Sequence, residues 1–128
     1  MRSMTGTPFL GYVSLTHAAP GPVAIALFTV MGQAAYTLQA AERCYITNIS
    51  LSSNDSAGTE IVTVDTGGAT PTKLANLYIP TNQYPATFSY PPGSMNGVLG
   101  VAPRAGAPAG ITLGKTIEIV LIGYISRT

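Results

Sequence analysis

Apolar and polar residues alternate with a period of two along much of this chain, the spacing of β-strands that turn one face to a core. From Thr116 to Tyr124, Ile117, Ile119 and Leu121 fall on one side and Glu118, Val120, Ile122 and Tyr124 on the other. The C-terminal half of that segment is apolar on both sides. The stretch PVAIALFTVM repeats the pattern, with Val23, Ile25 and Leu27 against Ala24, Ala26, Phe28 and Val30. Glu60 to Asp65 is an ordinary half-buried strand, Val62 and Val64 opposing Ile61, Thr63 and Asp65. A two-layer sandwich buries one face of each sheet, so the doubly apolar segments predict a covering surface outside the sandwich.

Strands are predicted over Phe9–Thr16, Val23–Met31, Ala35–Ala40, Cys44–Ser53, Glu60–Asp65, Leu74–Ile79, Ala86–Tyr90, Gly97–Ala102 and Thr116–Ser126. The segments between them are turn chemistry: Ala19-Pro20-Gly21-Pro22, Asn54 to Gly58, Gly67-Gly68, Pro80-Thr81-Asn82, Pro91-Pro92-Gly93 and the Gly/Ala/Pro-rich loop from Pro103 to Gly114. AAYTLQAAER has the composition of a helix, but Tyr36 and Leu38 alternate with Thr37 and Gln39, which favours a strand followed by a short loop. Regular short strands with such spacers predict an all-β, jelly-roll-like β-sandwich. At 128 residues the chain holds a single domain. Residues 23–128 are assigned to the sandwich, and residues 1–22 to either an N-terminal arm or the first strand.

Composition narrows the function. Hydrophobic residues make up 46% and charged residues 9%, far below the roughly 25% charged of soluble domains. So few charges predict a protein that works in association with others. The basic residues Arg2, Arg43, Lys73, Arg104, Lys115 and Arg127 stand singly and net charge is +1, without the basic patch of a nucleic-acid binder. Cys44 is the sole cysteine, so no intrachain disulfide forms. No secretory leader or membrane-spanning run is read, and neither nucleic acid nor membrane is an expected partner.

Residues able to do chemistry are scarce. His17 has no metal ligand at useful spacing beside it. Cys44, between Arg43 and Tyr45, reads as a small core residue rather than a reactive thiol. The acids Glu42, Asp55, Glu60, Asp65 and Glu118 form no pair pattern, and the Asp55 turn lacks the ligand ladder of a calcium loop. Gly67-Gly68 and Gly93 precede no helix and are turns, not phosphate loops. The expectation is a non-enzyme without catalytic, cofactor or metal site. Seven tyrosines and no tryptophan suit an interface, since tyrosine buries apolar area while its hydroxyl stays hydrogen-bonded. The excess apolar faces make Ile25, Phe28, Val120, Ile122 and Tyr124 candidates for a subunit interface. Phe9, Leu10 and Tyr12, in an N-terminal segment whose only charge is Arg2, are candidates for contact with a larger partner.

The segments AYTLQAAERCYITNISLSSNDSAGTEIVTVDTGG, KLANLYIPTNQYPATFSYPPGSMNGVLGVAP and GKTIEIVLIGYIS, in this order, resemble the small jelly-roll cement or decoration proteins of tailed bacteriophage heads. The shared features are a strand ending in Ser/Thr-Asn, an "L-x-I-P" edge, an "F-x-Y/P-P-G" corner, a "G-x-L-G-V" segment and a terminal "V-x-G-Y"-like strand. They span residues 34–126 and are structural motifs of low specificity. The resemblance implies a homotrimer on the outer surface of a virion, clamping neighbouring major capsid proteins and stabilising the head. Related folds imply an alternative, a receptor- or glycan-binding module of a viral spike or tail.

Overall fold

The computed structural model describes residues 6–30, 32–54, 60–79 and 86–127. Among them every regular element is a strand: β1 (Thr7–Thr16), β2 (Val23–Ala24), β3 (Ala26–Phe28), β4 (Arg43–Ser53), β5 (Glu60–Asp65), β6 (Lys73–Ile79), β7 (Ala86–Ser89), β8 (Arg104–Gly106) and β9 (Thr116–Ser126). They form two antiparallel sheets packed face to face. The larger has the order β3-β1-β9-β4-β7 and the smaller β2-β8-β5-β6. The all-β sandwich read from the sequence is the fold. Apart from β3, the pairs nest like one long hairpin folded over itself: β1 with β9, β2 with β8, β4 with β7, β5 with β6.

The core lies between the sheets. From the larger sheet come Phe9, Val13 and Leu15 of β1, Cys44, Ile46, Ile49 and Leu51 of β4, and Ile117, Ile119, Leu121 and Ile125 of β9. The smaller sheet answers with smaller groups, Val62 and Val64 of β5, Leu77 of β6 and Ala105 of β8. Each fully buried Leu or Ile contributes roughly 1.5–3 kcal/mol of transfer free energy. The alternation predicted for Thr116–Tyr124 is the one observed.

Two inward positions carry glycine because nothing larger fits. A Cβ on Gly11 would stand 2.9 Å from Ile25 Cγ2, and one on Gly123 would run into the Tyr45 carbonyl. Gly123 sits where β4 carries a bulge between Ile46 and Asn48. There the Thr47 carbonyl accepts a hydrogen bond from Tyr90 N–H at 2.8 Å, and its hydroxyl donates to the Ile122 carbonyl at 3.1 Å.

Three predicted segments differ from the structure. Val23–Met31 is not one strand: its β2 part pairs with β8 and its β3 part with β1, so the chain changes sheets at buried Ile25. The Ile25 N–H donates to the Pro103 carbonyl at that corner, 2.9 Å. Ala35–Ala40 makes one isolated bridge, Tyr36 to Leu27. It is held as a loop by Glu42, whose Oε1 accepts from Gln39 N–H (2.9 Å) and Tyr36 OH (2.7 Å). Those two donors keep the Glu42 carboxyl below its ordinary pKa. Gly97–Ala102 is a turn, with Gly100 at φ +73° and Val101 N–H bonded to the Val98 carbonyl. Conversely, β8 forms inside the stretch read as a loop. The Asn54–Gly58 and Pro80–Asn82 turns fall largely outside the described residues, as do Asp55, Tyr84 and the first five residues.

Residues 7–16 are the first strand of the sandwich rather than an arm. β1 pairs with β9 over ten residues and with β3 on its other edge. Leu15→Ala should therefore lower the free energy of urea unfolding by roughly 2–5 kcal/mol, the range for buried leucine truncations; an arm position would show almost no change.

Candidate functional site

The outer face of the five-stranded sheet carries two exposed large apolar residues, Tyr12 and Ile122, among half-buried apolar neighbours. Register fixes its layout in rows across the strands. One row runs Phe28, Leu10, Ile122, Asn48, Ser89, and the next Ala26, Tyr12, Val120, Ser50, Thr87. Flanking rows are Pro8, Tyr124, Tyr45 on one side and Ser14, Glu118, Ser52 on the other. The face thus has two halves. Over β3, β1 and β9 it is apolar except for the Ser14–Glu118 end; over most of β4 and all of β7 it is neutral and hydrogen-bonding.

Ile122 is 46% exposed and Tyr12 39% exposed, while Leu10, Phe28, Val120, Tyr124 and Tyr45 are half-buried. Tyr45 and Tyr124 stack with ring centroids 4.9 Å apart and planes 10° from parallel. In the polar half, Asn48 Nδ2 donates to Ser89 Oγ at 3.0 Å, and the Ser50 and Thr87 hydroxyls lie 3.4 Å apart. At the border Tyr12 OH donates to Glu118 Oε2 at 3.3 Å.

Of the residues singled out in the sequence, Phe28, Val120, Ile122 and Tyr124 share this face with Leu10 and Tyr12, so the two predicted contact sets merge into one surface. Ile25 and Phe9 do not belong to it. Ile25 is 2% exposed at the corner between sheets, and Phe9, 4% exposed, alternates inward from Leu10. Both are core residues and present nothing to a partner. Tyr45 and Pro8 were missed. Tyr45 could have been found from its alternation with Cys44 and Ile46, both fully buried.

The residues with chemical potential are dispersed. His17 Nδ1 lies 2.7 Å from the Ile111 carbonyl and pins the turn before β9. Asp65 forms a two-point ion pair with Arg104, Nε to Oδ1 at 3.0 Å and Nη2 to Oδ2 at 3.2 Å, and accepts from Gly67 N–H. Cys44 is buried, and that burial, with a smaller contribution from the Glu42 charge, pushes its thiol up to about 12. An open cleft of about 250 Å³ between Ser52, Ser53, Asn54, Thr116 and Glu118 holds one carboxylate. Among the described residues no three His, Cys, Asp or Glu side chains gather as a metal site. No family model, curated protein or solved structure matches the chain.

The Cys44 environment has a measurable consequence. In the unfolded chain a thiol ionises near pH 8.5, well below its folded value, so rising pH favours unfolding. Stability should be insensitive to this group below about pH 8 and fall as pH rises from about 9 towards 12. Cys44→Ala should remove that component of the pH profile, and native protein at pH 8 should resist alkylation by iodoacetamide until it is unfolded.

Proposed function

We propose that this protein is a structural component of a virus particle, a capsid cement or decoration protein that self-associates and binds the major capsid protein lattice to stabilise the head. The observation that carries this reading is the outer face of the larger sheet. Two adjacent rows of apolar side chains, one with Ile122 and the other with Tyr12 well exposed, cross three adjacent strands, where a monomer's sheet would show polar alternation. Leaving such a stripe wet forgoes about 25 cal/mol per Å² of apolar surface and invites non-specific sticking. The nested strand pairing supports reading the sandwich as a jelly roll, and the sequence motifs of residues 34–126 point to the phage-head branch of such folds.

The function is contact, so no single titratable residue should be indispensable. The chain should co-sediment with expanded heads assembled from the major capsid protein encoded in the same genome, and should raise the temperature at which those heads rupture. His17→Ala should bind as well as wild type. A folded chain that stays in the supernatant at saturating concentration, or leaves the rupture temperature unchanged, overturns the reading.

A further inference from the structure

The five strands of the larger sheet carry two charged residues, Arg43 and Glu118, and both alternate outward. They lie at opposite ends of the face. Arg43 is paired with Ser126 and Glu118 with Ser52, so each lies at a level four residues from Ile122 along β9. Ile122, midway between them, is the most exposed large apolar residue on the face. The Arg43 Nε is buried without a hydrogen-bond partner.

Three patterns on one surface select one symmetry. The halves of the face differ across the strands, apolar over β3, β1 and β9, polar over β7 and most of β4. A second copy related by a twofold axis in the contact plane, running across the strands at the level of Ile122, keeps each strand opposite its own copy and reverses its direction. Apolar strands then meet apolar strands, Leu10 and Ile122 facing their own copies and Val120 facing Tyr124, while Asn48 and Ser89 face their own copies and Ser50 faces Tyr45. The reversal carries Arg43 of each copy to the end where the other presents Glu118, with a lateral offset of one strand, about 4.8 Å. A twofold axis along the strands would keep each level and gather Arg43 with Arg43 and Glu118 with Glu118, and centred on β9 it would also set apolar strands against polar ones. A parallel arrangement about a threefold axis would gather Arg43 with Arg43 and Glu118 with Glu118.

We infer that the self-associating unit is a face-to-face antiparallel dimer centred on Ile122, rather than the trimer implied by resemblance. The inference rests on the self-association reading above and adds the partner's orientation. The long strands β1, β9 and β4 with the short β3 and β7 give a face of about 600 Å² in projection at ~3.4 Å per residue and ~4.8 Å per strand. That reaches the lower bound of a stable interface, about 600 Å² a side. Such an isologous patch has to be self-complementary, and this one is.

Light scattering on eluting full-length protein at micromolar concentration, with circular dichroism on each variant, tests the arrangement. Wild type should be a dimer. Ile122→Lys should yield a folded monomer, because two ammonium groups would meet at the axis. Arg43→Glu alone and Glu118→Lys alone should each weaken the dimer about tenfold or more, since both end contacts become like-charged. The double exchange, Arg43→Glu with Glu118→Lys, should restore it. A trimer, or a dimer indifferent to the single exchanges, overturns the antiparallel pair while leaving self-association standing. A monodisperse wild-type monomer overturns both.

Discussion

Everything in this fold hangs on β9 being hydrogen-bonded along both of its edges. On one side it pairs with β1 and on the other with β4, over nearly its whole length. A strand in that position cannot bend away from either neighbour, so its two rows of side chains are committed. One row, Ile117, Ile119, Leu121 and Ile125, becomes the floor of the core, and the other becomes the centre of the outer face. β4 meets this demand through its bulge. Cys44 and Ile46 are inward before it, Ile49 and Leu51 inward after it, a change of parity that an unbroken strand would convert into half a core facing water. The extra residue, Thr47, absorbs the change, and Gly123 supplies the space that the displaced β4 backbone takes up.

The second sheet is fitted to the first by volume. Large aliphatics project from β1, β4 and β9, and the residues facing them are mostly smaller, Val62, Val64 and Ala105 with the single leucine Leu77. Where the chain crosses between sheets at Ile25, Gly106 lies against Pro22, close enough that a Cβ there would press on the proline backbone at 3.2–3.3 Å. Small residues in the stretch before Ile111 therefore reflect close approach of two backbones. The Asp65–Arg104 pair joins β5 to β8 on the outer side of that sheet. Its side chains are 16% and 28% exposed, so desolvation offsets much of its Coulomb gain, while removing one partner would strand the other charge.

The long strands were legible because their alternation is written over ten or so residues and each has a core face. Thr116–Ser126, Cys44–Ser53 and Phe9–Thr16 were found nearly to their ends, and the outward set Val120, Ile122 and Tyr124 was assigned to its true side. What escaped was governed by tertiary contacts. PVAIALFTVM alternates without interruption, and nothing in it marks Ile25 as the point where hydrogen bonding passes from one sheet to the other. The three residues of β8 lie in a run of Gly, Ala and Pro that has no strand propensity. They are extended because β5 and β2 present paired edges to them. The Ala35–Ala40 error has a local cause, since Glu42 reaches back to take the Gln39 N–H that a strand would have used and is held there by the Tyr36 hydroxyl. The outer face could be read one strand at a time but not assembled, because its rows exist only in the register of strands far apart in sequence.

The nested pairing also sets the order in which this surface can come into being. β1 and β9 enclose nearly the whole chain between them, so their pairing closes a loop of order 100 residues and carries the largest closure entropy of the nested pairs. Every apolar row of the outer face straddles that seam. A chain in which β1 and β9 have not yet paired has Leu10 and Tyr12 without Ile122 and Val120 beside them, and so has no ordered apolar patch. The ordered apolar face is thus a property of the completed fold alone: the topology withholds that surface until the two ends of the molecule have met.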